Sequence, residues 1–272
     1  MNFQGLNFSA PILQAALGTC DGPALAAAVS RAGGVGTLTL YAPSPEQLAV
    51  RLSRLRALTQ RPVLLAFTAE WERDCILERC LEVGFRHFQV FWWNGPRLIR
   101  RIQAGGGVAL WQVGTPGQAD EALSHGAHGL VIQGTAAGGP VRSPYTLDEL
   151  VPELRSLVGT DFPLIAGGGL ATRADVARTL ALGADAALLG TRFLLTREAS
   201  APESHKRRLL ASRSAQLTLD TQLIGQWPCS PRRRLPGAAY SDLPSLYSGQ
   251  GLSGIHDLPT AATVVHRLSA GL

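Results

Sequence analysis

Eight short apolar runs, recurring about every 25 residues and separated by segments with helical starts and stops, predict an α/β chain. Its fold class is a (β/α)8 TIM barrel with a C-terminal helical and irregular appendage. The runs occupy 12–15, 35–38, 63–67, 87–91, 108–112, 129–133, 163–166 and 186–189. Strands that alternate with helices through short connections pair in parallel with right-handed crossovers, and eight such units close a barrel. An open, doubly wound sheet is the alternative the same alternation permits.

The helices between the runs are punctuated by side-chain chemistry. Ser44 and Thr115 stand at N-cap positions, followed by Pro45 and Pro116 at the first helical position and by Gln47 and Gln118 at the third. Thr146 with Glu149, and Thr172 with Asp175, repeat the device. Gly33, Gly84, Gly126 and Gly183 fall where a helix end takes a left-handed residue. After about residue 195 the pattern changes. A helix is predicted over 203–219, then a stretch rich in Pro, Gly, Ser and Arg over 226–259, then a final helix in the last dozen residues. The chain therefore divides into a barrel over 1–200 and an extension over 201–272 that packs on the barrel or covers its mouth.

A chain of 272 residues buries a sizeable core, and 46% apolar with 17% charged residues is the composition of a globular protein. No apolar run is long enough for a bilayer and no leader pattern is visible, so the expectation is a soluble, cytoplasmic protein without a membrane partner. Cys20, Cys75, Cys80 and Cys229 match neither a redox pair nor a zinc site. The net charge of +5 comes almost wholly from arginine, Lys206 being the single lysine. These arginines are dispersed apart from 205–208 and 232–234, which argues against a nucleic-acid module. A lone lysine beyond the eighth run disfavours a Schiff-base aldolase, and six histidines without ligand spacing disfavour a metal hydrolase, so no metal is expected.

In such barrels the chemistry lies at the C-terminal ends of the strands, and the last two loops often hold a phosphate. Here the seventh run enters Gly167, Gly168 and Gly169, and the eighth ends at Gly190 and Thr191. Glycines let main-chain amides approach an anion, and a helix N-terminus nearby adds its dipole.

At these residues the chain resembles the nitronate monooxygenase (2-nitropropane dioxygenase-like) family, which also contains flavin-dependent enoyl-ACP reductases. The likeness extends over roughly 10–200 through "PILQAALG", "ALAAAVSRAGGVGTL", "VIQGTAAGG" and "IAGGGLATRADVARTLALGADAALLGTRF". It implies an FMN cofactor, with phosphate at Gly167, Gly168, Gly169, Gly190 and Thr191. The ring would lie against Ala15, Ala16 and Leu17, and against Gln112, Gln133, Gly134, Gly138 and Gly139. The chain departs from the family pattern at three places. Pro140 stands where members usually carry histidine, Ala66 where an asparagine is frequent, and Ala15-Ala16-Leu17 where Ala-Pro-Met is typical.

His87 and His128 open strands and His125 closes a helix, so these three are expected at the opposite end of the barrel; His205, His256 and His266 belong to the tail. The polar residues predicted for the mouth are Thr19, Cys20, Asp21, Tyr41, Thr68, Glu70, Asn94, Gln112, Gln133, Thr135, Arg142 and Tyr145, with Trp92 or Trp93 as a wall. Asp21 doubles as a candidate N-cap. No catalytic residue stands out, and Gln133, Arg142 and Tyr145 are the candidates. The expected function is an FMN-dependent oxidoreductase that lacks the usual acid–base histidine. It would take a small-molecule substrate already anionic, such as a preformed nitronate, or one reduced without an enzymic proton donor there. NAD(P)H or O2 would be the redox partner and a homodimer a compatible assembly. An enoyl-thioester reductase and a non-catalytic FMN-binding protein are the alternatives.

Overall fold

Alternation of side chains within each apolar run gives every strand one face toward the barrel axis and one toward the helices. The computed structural model describes residues 2–3, 5–40, 44–67, 74–91, 95–221, 230–236 and 247–272. The strands are β1 (Ile12–Gln14), β2 (Gly36–Thr39), β3 (Val63–Phe67), β4 (His87–Val90), β5 (Val108–Val113), β6 (Gly129–Gln133), β7 (Leu164–Gly167) and β8 (Ala186–Leu189). They form one parallel sheet in the order β1-β8-β7-β6-β5-β4-β3-β2, each predicted run lying within a residue or two of its strand. The seam between β1 and β2 closes through Gln14 N–H to Val35 O (2.9 Å) and Val35 N–H to Ile12 O (3.0 Å). The buried Gln14 amide extends this short ladder, donating to Thr37 O at 2.9 Å and accepting from Thr37 N–H at 3.1 Å.

Leu13, Val35, Leu64, Leu110, Val131, Ile165 and Ala186 face inward and meet Phe3, Leu6 and Phe8. Phe3 and Leu6 belong to a two-stranded N-terminal hairpin that plugs the barrel, and the Phe3 and Phe8 rings pack edge to face at 4.9 Å. Outward residues such as Ile12, Leu38, Phe67, Phe88, Trp111, Ile132 and Leu189 form the larger shell beneath the helices.

The helices are α1 (Pro23–Arg31), α2 (Pro45–Leu58), α3 (Asp74–Glu82), α4 (Gly95–Ala104), α5 (Pro116–Ser124), α6 (Leu147–Val158), α7 (Arg173–Ala181), α8 (Thr191–Leu194), α9 (Glu203–Leu210) and α10 (Ala261–Ser269). Ser44, Thr115, Thr146 and Thr172 cap as predicted, the last two in full capping boxes. The four expected stop glycines all have positive φ.

Because α8 is a single turn, the eighth outer position is filled from the tail: α10 packs on α1, α7 and α8. Ala261, Val264, Val265 and Leu268 of α10 enter the same outer core. Buried charges hold the tail in place. Arg192 binds Asp257 Oδ1 (2.7 Å) and Leu195 O (2.7 Å), and Lys206 Nζ donates to Thr196 O (2.7 Å) and Ala199 O (2.8 Å). The helix predicted over 203–219 stops at Leu210, because Ser212 Oγ takes the Arg208 carbonyl (2.8 Å) and Arg213 begins a separate 3-10 turn. Thr218–Asp220 and Arg232–Arg234 are instead strands of a small antiparallel sheet. Among the described residues no helix is long and apolar enough to cross a membrane.

Candidate active site

The loops after β7 and β8 present unused main-chain donors. Gly168 (φ +142°) and Gly169 (φ +77°) adopt conformations that L side chains rarely take. Contact seals the requirement: a Cβ on Gly168 would lie 2.9 Å from Gly134 O, and one on Gly169 would lie 2.7 Å from Ala136 Cβ. The amides of Gly168, Gly169, Gly190 and Thr191 make no hydrogen bond to another main-chain group among the described residues. Gly190 differs from the other two. Its φ of −99° suits any residue, and the nearest atoms to an added Cβ are Ala15 Cβ and Leu17 Cδ2 at 3.7 Å. An added Cβ there would make only ordinary van der Waals contact, so protein packing does not require glycine at this position. Main-chain donors left without a main-chain acceptor are groups that a ligand can use.

The tail supplies a third wall. Gly249 N–H donates to Thr191 Oγ1 (2.9 Å), Gln250 N–H donates to Ala136 O (2.9 Å), and Ser248 is wholly buried. A Cβ on Gly251 would fall 2.2 Å from Gly169 O, so main chain rests directly on main chain.

The loop after β6 is held from both sides. The Gln133 amide donates to Pro140 O (2.9 Å) and accepts from Arg142 N–H (3.1 Å). Gly139–Pro140 forms a short strand paired with Arg232 and Arg233, and Val141 N–H reaches Pro231 O at 2.8 Å. Proline fits such an edge because it has no N–H to satisfy. The buried Arg233 guanidinium donates to the carbonyls of Thr135 and Ala137, and burial lowers its pKa. Arg142 and Tyr145 are both exposed on this loop, and the Tyr145 carbonyl accepts from Thr135 N–H at 2.7 Å.

The loop after β1 is organised by Asp21, which is not the N-cap of α1; Gly22 holds that place. The Asp21 carboxylate accepts from Leu17 N–H (2.8 Å), Thr39 N–H (2.9 Å) and the Thr39 hydroxyl, and Arg51 lies 3.8 Å away. Burial pushes its pKa up to about 6 against the pull of these bonds. Leu17 is thereby fixed, Ala15 and Leu17 are the side chains nearest Gly190, and Ala15, Ala16 and Leu17 are all partly open. Inside the barrel, Gln89 Nε2 donates to Gln112 Oε1 at 3.0 Å, both side chains being buried.

The predicted cofactor residues thus converge on one end of the barrel, with Gln112 inside it and Gln133 fastening the loop after β6. His87, His128 and His125 do lie elsewhere: Gly5 of the plug faces His87 Nε2, His128 Nδ1 accepts from Ala109 N–H (3.1 Å), and His125 meets Trp111 edge to face. Tyr41, Thr68, Glu70, Trp92, Trp93 and Asn94 lie outside the described residues. The sequence reading missed Ser248, Gly249, Arg233 and Gln89. The close Gly249 and Gly251 pair was the available signal for the first two; nothing local marks the others.

Fold and mouth define a (β/α)8 enzyme whose candidate site lies at the strand C-termini. Residues 86–228 match the nitronate monooxygenase family model, and the chain belongs to that family. It is 31% identical over 266 residues to a nitronate monooxygenase of Neurospora crassa, covering 82% of this chain and 68% of that protein. It is 29% identical to a Mycobacterium tuberculosis protein named (3aS,4S,5R,7aS)-5-hydroxy-7a-methyl-1-oxo-octahydro-1H-indene-4-carboxyl-CoA dehydrogenase, covering 79% of this chain and spanning 61% of that relative's length. Among solved structures, a nitroalkane oxidase from Streptomyces ansochromogenes superimposes with a TM-score of 0.81 at 28% identity, covering 97% of this chain and 96% of that one. FabK from Thermotoga maritima shares the fold at a TM-score of 0.86 and 23% identity, covering 97% and 92%. The named relatives are oxidoreductases.

Proposed function

We propose that this chain is an FMN-dependent oxidoreductase that takes a substrate already anionic, such as a preformed nitronate. The carrying observation is the set of unused amides at Gly168, Gly169, Gly190 and Thr191, which fits a terminal phosphate monoester. Gly167 packs closely on Leu188, where an added Cβ would lie 2.5 Å from Leu188 O, and Ala15 and Leu17 are the side chains nearest Gly190. Bound FMN would supply hydride or single-electron chemistry. The chain's own part is to anchor, orient and exclude water. Pro140 offers no proton, and the Gln133 amide is engaged by the loop it fastens, so abstraction of a carbon-bound proton has no evident base in this loop. Arg142, exposed at the mouth, provides charge to attract the anion. The setting we assign is cytoplasmic, with O2 or NAD(P)H as redox partner and a homodimer as the assembly.

A second reading, reduction or oxidation of a CoA thioester, is favoured by the carboxyl-CoA dehydrogenase activity in the name of the Mycobacterium tuberculosis relative. Anaerobic visible spectra of the FMN-loaded protein separate the readings. Loss of the flavin band on adding a nitronate is the expected result. A response to NADH or NADPH alone supports the thioester reading, and no response to any of them leaves a binding protein.

A further inference from the structure

Gln89 carries a buried acceptor that the protein leaves unused. Its side chain is 1% exposed and its Nε2 is spent on Gln112, while its Oε1 has no hydrogen-bond partner among the described residues. Neighbouring strands offer it nothing. The residue beside it on β3 is Ala66, and the next polar groups round the wall, the hydroxyls of Thr37 and Thr39, already donate to Gln14 O and Asp21. A buried amide oxygen without a donor is costly, so such an atom points to a ligand. Gln112, across the 3.0 Å bond, has its oxygen occupied and keeps its Nε2 as a donor.

The position of this pair in the sheet gives the ligand its orientation. In the order β1-β8-β7-β6-β5-β4-β3-β2, β4 stands four places from β8, across the barrel from the amides of Gly190 and Thr191. A coenzyme anchored there by its phosphate and laid over the mouth turns its far edge toward β4 and β5. A flavin has two long-axis ends of opposite chemistry. One is an apolar dimethylbenzene edge; the other is a pyrimidine edge with an N3–H donor between two carbonyl acceptors. An adjacent acceptor and donor, Gln89 Oε1 and Gln112 Nε2, match the second and not the first.

We propose that Gln89 and Gln112 together seat the pyrimidine edge of the flavin, with Gln89 accepting the N3–H bond. This rests on the flavin reading above, and the test separates the two. Apoprotein is titrated with FMN and with 3-methyl-FMN, which cannot donate from N3, following flavin fluorescence. The wild type is expected to bind FMN about tenfold more tightly than the methylated analogue. Gln89→Leu should weaken FMN and bring the two affinities within about twofold. Equal affinities in the wild type overturn the assignment while leaving flavin binding intact, and this arm needs no variant to fold. Failure to bind either flavin overturns the cofactor reading and this inference with it.

Discussion

At the N-terminal end of the barrel the interior is filled by Phe3, Leu6 and Phe8, whereas at the C-terminal end main chain packs on main chain, Gly168 on Gly134, and Gly249 and Gly251 on Gly169. The lower end satisfies itself: apolar side chains meet apolar side chains. The upper end is built to close tolerances and still leaves donors at Gly190 and Thr191 and an acceptor at Gln89 unmet. If the upper end binds the proposed cofactor, substitutions at the two ends should separate stability from ligand recognition.

The largest effect should come from the plug. Phe8→Ala is expected to remove about 3 kcal/mol of stability, lowering Tm by roughly 10 °C, while FMN affinity of the folded protein stays unchanged. Calorimetry and a flavin titration check both halves. At the mouth, Gly190→Asp should do the reverse. Its backbone accepts a side chain, so Tm should hold within about 2 °C, while the carboxylate in the anion receptor weakens FMN about 100-fold. A comparable loss of Tm would place Gly190 with the packing residues.

A smaller effect should come from Asp21, which joins the mouth to the β2 wall. Its folded pKa of about 6 lies above the ordinary value of 3.8, so the folded state binds more protons between these values and stability falls as pH rises through them. The wild type should thus lose a few degrees of Tm relative to Asp21→Asn between pH 4 and pH 6. Glu149, lowered by hydrogen bonds from Thr146, and Asp257, lowered by Arg192 and Arg267 against the pull of burial, lose their contributions as pH falls through their ordinary values, opposite in sign to Asp21, and they cancel between wild type and variant. A difference between wild type and variant that is independent of pH would show that Asp21 acts through its bonds alone.

What was legible in the chain follows from the range of each interaction. Strands such as Val63–Phe67 and capped helices such as Leu147–Val158 are local, so apolar runs and Thr146 with Glu149 announce them. The glycines of the proposed anion receptor are legible for the same reason, since their conformational demand lies in consecutive residues. The third wall was not. Arg233 meets Thr135 and Ala137 across about a hundred positions, and Gly249 meets Thr191 across 58. The hairpin at Asn2–Phe3 and Leu6–Asn7 is too short for its alternation to register. Asp21 sat where a helix cap is common, and its pairing with Thr39 depends on a strand contact that the linear order does not reveal.

The central claim is that the amides beyond β7 and β8 grip a terminal phosphate. Apoprotein titrated with FMN and with riboflavin, which differ by that phosphate alone, tests it most directly. Binding of FMN about 100-fold tighter than riboflavin is the predicted result; equal affinity for the two would contradict it.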